Sequence, residues 1–292
     1  MKKLTVSVLI FSVLSVAVVM VMVMIKFYHV HQQKILDEKL VMLLVPYTTF
    51  DRSGEISLYR HGQNNDGGYI VPEIALEKAD VLLGYGIDND NSFEENFSNQ
   101  YNKPSYGFDC GIDGIQHKNK LFTFIPECIA NDNFLYKNQI SSRKITSFTQ
   151  HLNHLNINKK KIFIKMDIEG AEYEAFDDIL KHSAQITGII LEIHFFDLAS
   201  TKNAVKLISN LNQNFILLHV HNNNCAHAYF STGSLRGHLS RVLELTYINK
   251  HLVEHYTVAK NLTYPSSQDM PNCPGDPDMP FAMVSRLRGN DL

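Results

Sequence analysis

The sequence lacks the features that define several classes of protein. It has only four cysteines, Cys110, Cys128, Cys225 and Cys273, and no CxxC pair, so its spacing supports neither a zinc ribbon nor a disulfide scaffold. Basic residues are not in excess: the net charge is −3, and residues 51–292 carry −6. A broad nucleic-acid interface needs a basic surface, so we expect no nucleic-acid partner. The 45% hydrophobic and 20% charged residues are typical of a globular protein, which argues against fibrous repeats and long disorder.

The first 28 residues predict a membrane anchor. Leu4–Ile25 is a run of 22 residues without a charge. As a helix it would cover ~33 Å, enough to cross a bilayer core of ~30 Å. A cleaved signal peptide is the alternative, but its apolar region should span only ~7–15 residues. Basic residues flank both ends, so the positive-inside rule does not decide the orientation. We predict a single-pass anchor over residues 1–28 and leave the side of the membrane open.

The rest of the chain is expected to form a stalk and one domain. Residues 29–57 include a helical period over Gln32–Leu44 that Pro46 ends, and we interpret them as a stalk. The domain is expected over residues 58–292, a size typical of one domain. Five of the nine prolines lie in residues 265–280, which predicts an extended loop near the end of the chain. We call this segment the proline-rich loop.

Short apolar runs alternate with amphipathic stretches through this domain. The apolar runs predict strands, and the amphipathic stretches predict helices. Repeated β-α units of this kind give a mostly parallel sheet with helices on both faces, an α/β fold. The predicted strands cover 81–86, 105–109, 121–129, 161–167, 186–196 and 215–221, and the predicted helices cover 92–100, 171–181 and 199–211. Ligands of such sheets bind beyond the carboxyl ends of the strands, so the residues at those ends are the candidates for function.

Glycines and an acid follow the first two predicted strands. Gly84 and Gly86 end the first strand, and Asp109 ends the second about 23 residues later. Glycines let a ligand approach the backbone, and an acid at about this distance can accept hydrogen bonds from ribose hydroxyls. A full GxGxxG is absent. Upstream, the segment beginning at Asp66, Asp-Gly-Gly-Tyr, is either a plain turn or a backbone edge over the cofactor.

Acidic, histidine and asparagine side chains lie at the ends of the later strands. They are Asp167, Glu169 and Glu172 after the fourth strand, Glu192 and His194 in the fifth, and His219, His221 and Asn222 in the sixth. Helix capping accounts for one or two of the first three acids. Side chains two apart on a strand share a face, so these groups could form a general-base cluster or a metal site of mixed nitrogen and oxygen ligands. No tight ligand motif such as HExxH is present, so a divalent metal is possible but not favoured.

The fourth strand and the turn after it resemble a family signature. The segment Lys165-Met166-Asp167-Ile168-Glu169-Gly170-Ala171-Glu172-Tyr173-Glu174 is similar to the signature of FkbM-type S-adenosylmethionine-dependent methyltransferases. Three other segments, Asn65–Tyr69, Gly84–Glu94 and His219–Asn223, resemble the membrane-anchored branch of that family. The resemblance covers roughly residues 58–285.

This resemblance implies a class I Rossmann-like methyltransferase fold, S-adenosylmethionine as the methyl donor, and transfer to an oxygen, often a sugar hydroxyl. By position, Gly84 and Gly86 match the cofactor turn of the family, and Asp109 matches the acid that holds the ribose. The turn departs from the longer Asp-x-Gly-Ala-x-x-Gly pattern that many members show, because this chain has Gly-Tyr-Gly-Ile-Asp instead.

Methyl transfer to a hydroxyl needs aligned reactants and removal of a proton, and we expect Asp167, Glu169 or His194 to take that proton. The remaining candidates are expected to contact a small-molecule or glycan substrate or to support the base; they are Asp66, Glu172, Glu192, His219, His221 and Asn222. Two other classes stay open: a membrane-tethered binding module with this fold and no turnover, and a nicotinamide-dependent oxidoreductase. The absent GxGxxG counts against the oxidoreductase.

Overall fold

A seven-stranded sheet forms the centre of the molecule. The structure, a computed structural model, describes residues 2–130, 144–231, 235–260 and 262–283, with side chains from residue 16 onward. In chain order the strands are β1 (Val81–Tyr85), β2 (Ser105–Phe108), β3 (Phe122–Ile125), β4 (Ile162–Met166), β5 (Ile186–His194), β6 (Phe215–Asn222) and β7 (Val242–Asn249). Their order in space is β6-β7-β5-β4-β1-β2-β3, and β7 alone runs antiparallel to its neighbours. The predicted α/β architecture with a mostly parallel sheet is confirmed.

Helices and short strands surround this sheet. The helices are α1 (Lys2–Leu43), α2 (Glu73–Lys78), α3 (Ser92–Tyr101), α4 (Phe148–His154), α5 (Glu172–Ile179) and α6 (Leu198–Asn214), with 3-10 turns at Leu180–Gln185, Asn224–Ala226 and Lys250–Leu252. The short strands, in small sheets outside the central one, are Tyr47–Asp51, Gly54–Glu55, Leu58–His61, Tyr69–Pro72, Cys128–Ile129, Ile145–Thr146, Tyr229–Phe230, Leu235–Gly237, Leu239–Ser240, His255–Val258, Leu262–Tyr264 and Phe281–Met283.

The core lies on both faces of the sheet, because successive side chains of a strand point to opposite sides. Leu83 and Ile164 belong to one hydrophobic cluster, together with the apolar faces of α4, α5 and α6. Leu82 and Phe163 belong to a second cluster, which α2 and α3 cover. Strands buried on both faces need continuous apolar runs, which is why the sequence of β4 reads Ile-Phe-Ile-Lys-Met.

Strand β7 is absent from our predictions. It inserts between β5 and β6, with Leu191 opposite Leu245 and Val220 opposite the same residue. Its run of β-branched and aromatic residues is a strand signal that could have been used. Its place in the sheet could not have been predicted, because a pattern of β-α units indicates parallel neighbours and gives no information about an antiparallel strand between them.

The cysteines correct another expectation. We found no support for disulfides, but Cys110 pairs with Cys128 and Cys225 pairs with Cys273. The partners are 18 and 48 residues apart, so no local motif reveals them. The fold brings them together: the first pair joins the segments after β2 and β3, and the second ties the proline-rich loop to the turn after β6.

The N-terminal helix has two parts with different surroundings. Across the described portion of the chain, no helix combines the length and the apolar content needed to cross a membrane. The predicted anchor, Leu4–Ile25, begins outside the residues whose side chains are described. The second part of α1 packs on the domain, with Leu40 and Val41 buried in the first core cluster.

A buried ion pair reinforces this packing. Asp37 accepts two hydrogen bonds from the Arg241 guanidinium, at 2.6 and 2.8 Å. Gln33 donates to Thr201 of α6 at 2.8 Å. Part of the predicted stalk, residues 29–57, is therefore attached to the domain by contacts. The division of the chain at residues 28 and 57 stays a prediction.

Candidate functional site

A cleft of about 500 Å³ opens at the carboxyl ends of β1, β2 and β4. Five of the predicted site residues line it, namely Asp66, Gly86, Asp109, Asp167 and Glu169. The disulfide between Cys110 and Cys128 forms part of its wall. This is the edge of the sheet at which ligands of open α/β folds bind.

Gly86 allows the ends of β1 and β4 to approach each other. Its φ of +72° belongs to the left-handed region, and a Cβ here would overlap the carbonyl oxygen of Asp167. The carbonyl of Gly86 accepts a hydrogen bond of 2.8 Å from the Lys165 ammonium. Any side chain at this position would separate the two strand ends and fill the adjoining cleft.

Asp109 lies at the rim of the cleft with both oxygens already oriented. One oxygen accepts from the backbone N–H of Asp88 at 3.0 Å, and the other from that of Gly111 at 2.6 Å. A carboxylate oxygen has a second lone pair, so each can accept one further hydrogen bond. The side chain is therefore placed to receive a pair of neighbouring hydroxyls.

Gly84 has a different neighbour from the one we predicted. A Cβ at Gly84 would overlap the carboxylate of Glu94 on α3, so the space it leaves is taken by that side chain. Glu94 is fully buried, and neither of its oxygens has a hydrogen-bond partner among the described residues. Burial raises the pKa of Glu94 to about 7, although the nearby Lys165 charge lowers it. The structure thus gives Gly84 a packing role, and its cofactor contact stays a prediction.

His194 lies at the centre of a cluster of carboxylates. Its Nδ1 is 3.0 Å from Glu172 Oε1, and its Nε2 is 3.3 Å from Glu192 and 3.4 Å from Glu169. Burial opposes the charged form, but the hydrogen bond to Glu172 and the nearby Glu192 carboxylate outweigh it and raise the pKa of His194 to about 10. His194 therefore holds a proton more strongly than an exposed imidazole does. Its role as the base stays a prediction.

Asp167 and Glu192 complete this cluster. Burial raises the pKa of Asp167 well above its usual range, and the neighbouring Glu192 charge raises it further. One Asp167 oxygen is enclosed and has no hydrogen-bond partner in the described part of the structure. Burial also raises the pKa of Glu192, whose oxygens are 3.2 and 3.3 Å from the Asn223 amide. Asp167 is thus a stronger base than an exposed carboxylate.

The three candidates on β6 contact the proline-rich loop. His219 Nε2 is 2.8 Å from Asp269, and His221 Nε2 is 3.1 Å from Asp278. The Asn222 amide donates to a carbonyl of the same loop at 3.2 Å. Glu172, a further candidate, lies 3.0 Å from His194 Nδ1. The β6 residues are placed to hold the loop over the strand ends, not to reach the cleft.

Other residues of the site escaped the sequence reasoning. They are Tyr69, Glu94, Lys165, Asn223 and Glu244. Lys165 carried a usable signal, since a charged residue inside an apolar strand has to find a partner. Tyr69 and Glu94 lay in segments that we quoted for the resemblance, but no local pattern shows that their side chains turn inward.

The sequence matches the model of a known protein family. The model described as "Methyltransferase FkbM domain" matches residues 64–220, more than half of the chain. The chain therefore belongs to the FkbM methyltransferase family, and its mostly parallel α/β fold is consistent with such a methyltransferase. No curated protein matches the chain. The matched span ends within β6, so β7 and the proline-rich loop lie beyond it.

Glu94 provides a test of the buried charge. Its raised pKa means that the fold favours the neutral acid, so this contribution to stability is complete below pH 4.5 and is lost as pH rises through about 7. The full loss is about 3 kcal/mol at 1.36 kcal/mol per pKa unit. Because an amide does not ionise, Glu94→Gln should gain stability relative to wild type between pH 5 and pH 8, measured by urea unfolding.

The matched control for this experiment is Glu77→Gln, which removes an exposed carboxylate from α2. Its unfolding free energy should follow wild type at every pH. If the unfolding free energies of Glu94→Gln and wild type changed with pH in parallel, the pKa of Glu94 would not be raised in the folded protein.

Proposed function

We propose that this methyltransferase transfers the methyl group to a hydroxyl, and that the acceptor is a sugar or glycan. One observation carries the proposal. Asp167 lines the cleft at the carboxyl ends of the strands and also belongs to the cluster with Glu192 and His194. Because Asp167 belongs to both the cleft and the cluster, it can contact a methyl donor bound in the cleft and an acceptor bound at the cluster.

S-adenosylmethionine, the usual donor of this family, supplies an electrophilic methyl group when bound. Two features of the cleft fit such a nucleoside. Gly86 lines the cleft without a side chain, and Asp109 keeps a free lone pair on each oxygen. Gly86 would lie against the donor, and Asp109 would accept from the ribose hydroxyls.

Asp167 is the group that would take the proton of the acceptor hydroxyl. Its pKa is raised by burial and by Glu192, so it binds a proton more strongly than an exposed carboxylate does. A positioned proton acceptor contributes typically 10²–10⁴-fold to a rate. His194 lies 3.0 Å from Glu172 and 3.3 Å from Glu192, so its ring joins the carboxylates of this cluster.

The polarity of the site supports a polyhydroxyl acceptor. Asp66, Asp167 and Glu169 line the cleft, and carboxylates accept hydrogen bonds when ionised. Hydroxyl groups donate to them, whereas an anionic acceptor would be repelled. A sugar offers several such donors without a charge.

The donor site is tested with Asp109→Ala. Loss of a charged hydrogen-bond acceptor costs ~1.5–3 kcal/mol, so S-adenosylmethionine should bind about 10- to 150-fold more weakly by calorimetry. Asp113→Ala, which removes an exposed acid from the same loop, should bind as wild type does. Unchanged affinity in a folded Asp109→Ala protein would remove Asp109 from the donor site.

The proton acceptor is tested with Asp167→Asn, which keeps the shape and removes the charge. The acceptor is a glycan extract from cells that lack this protein. The rate at which Asp167→Asn transfers labelled methyl to this extract should be lower than the wild-type rate by ~10²-fold or more. The affinity for S-adenosylmethionine should change less than the rate. Asp177→Asn on the exposed face of α5 is the matched control and should keep the wild-type rate.

Three results would contradict these assignments. A wild-type rate in Asp167→Asn would place the proton acceptor elsewhere. Label that enters protein or lipid but no sugar would overturn the glycan acceptor. Donor binding without transfer to any extract would favour a binding module.

The localisation proposal rests on the sequence and the disulfides. The uncharged run Leu4–Ile25 would tether the protein to a membrane, and the paired cysteines favour an oxidising compartment for the domain. After a salt wash, full-length protein should sediment with membranes, and a chain without residues 1–28 should stay in the supernatant. Full-length protein in the supernatant, or a truncated chain in the pellet, would contradict the anchor.

A further inference from the structure

The cluster around His194 has the geometry of a cation site. One donor atom each from Asp167, Glu192 and His194 lies within 4.8 Å of the others. His194 Nε2 and Glu192 Oε1 are 3.3 Å apart, longer than a usual N–H···O hydrogen bond. Neighbouring ligands of an octahedral ion with bonds of about 2.1 Å lie about 3 Å apart. We infer that these three side chains bind one divalent metal ion.

The groups behind these ligands are arranged as they are in metal sites. A histidine that binds a metal almost always gives its other ring N–H to a carboxylate, which fixes the tautomer and the ring orientation. His194 Nδ1 is 3.0 Å from Glu172 Oε1, and the same oxygen accepts from the Gly170 N–H at 3.0 Å. Glu172 is fully buried, and Asn223 holds Glu192 in the same way. Nε2 is left to face the carboxylates.

Unpartnered polar atoms point to an occupant. The Tyr69 hydroxyl is on a side chain only 2% exposed and has no hydrogen-bond partner among the residues described. The Tyr69 ring lies 5.8 Å from the Lys165 ammonium, which donates to the Gly86 carbonyl beside the cluster. An Asp167 oxygen is also enclosed and unpartnered. Buried polar groups normally have partners, and an ion with its water would supply them.

A second group of acids is a weaker candidate. Asp66, Glu192 and Glu244 also offer donor atoms within 4.8 Å. However, the two oxygens of Glu244 accept from Asn272 at 2.6 Å and from His221 at 2.9 Å. Ligand atoms that already hold short hydrogen bonds are not free for an ion, so we assign a single site.

The donor set limits the choice of ion. Carboxylates and water suit Mg²⁺ and Mn²⁺, and imidazole suits the first-row transition metals, so Mn²⁺ satisfies both preferences. Three protein ligands leave positions open for water or for a hydroxyl of the acceptor. An ion here would orient that hydroxyl and lower its pKa. This use of the ion rests on the proposed function, whereas its binding does not.

The experiment measures Mn²⁺ binding to the full chain after removal of metals with a chelator. Bound Mn²⁺ is measured by the loss of the free-ion signal in electron paramagnetic resonance, and we expect one Mn²⁺ ion bound per chain. Glu192→Gln and Asp167→Asn should each weaken binding by about 100-fold or more, and Glu172→Gln by ~10- to 100-fold. Asp269→Asn, which alters an equally buried histidine–carboxylate pair outside the cluster, should stay within about 3-fold of wild type.

The outcomes separate this inference from the proposed function. No saturable Mn²⁺ binding to wild type, or unchanged affinity in both Asp167→Asn and Glu192→Gln, would overturn the metal site. Circular dichroism checks that each variant is folded. If Glu192→Gln does not fold, Asp167→Asn alone tests the loss of a metal ligand. S-adenosylmethionine is titrated into the same metal-free protein. Donor binding without Mn²⁺ binding refutes only the metal, and Mn²⁺ binding without donor binding refutes only the donor site.

Discussion

The burial of carboxylates around one imidazole is the constraint on which the rest of the site depends. A charge taken out of water costs several kcal/mol unless a partner offsets it. Glu172 and Glu192 are almost wholly buried, and His194 lies between them at 3.0 and 3.3 Å. The His194 backbone is held in turn, because the Tyr173 hydroxyl donates to the His194 carbonyl at 2.6 Å. Strand β5 and helix α5 thus fix the cluster before any ligand binds.

A dry cluster also needs a cover, and the proline-rich loop supplies one on the side of β6. Its prolines cannot donate to a strand, so the loop depends on side chains for its attachment. His219 and His221 bind two of its aspartates, and the pair Cys225–Cys273 joins it covalently to the turn after β6. Two of the predicted substrate or supporting residues, His219 and His221, therefore attach this loop to β6.

Sequence periodicity was sufficient for the elements and for part of the site. Strands such as β4 are buried on both faces, so their apolar runs are visible in the sequence, and Asp167 and Asp109 follow directly from where the strands end. Strand β7, the two disulfides and the contact of Gly84 with Glu94 depend on residues far apart in the chain. No local pattern encodes such pairings. The roles of the β6 histidines were missed for the same reason, since their partners lie about 50 residues away.

Lys165 links the two halves of the site. Its ammonium donates to the carbonyl of Gly86 and lowers the pKa of both Glu94 and Asp167, although burial raises each of them more. One cation is therefore shared between a buried acid on α3, the glycine turn of the cleft and the acid of the cluster. Whatever binds against Gly86 alters the field that Asp167 experiences, because the same ammonium faces both. The pKa of Asp167 is thus tied to the charge of Lys165 at the glycine turn of the cleft.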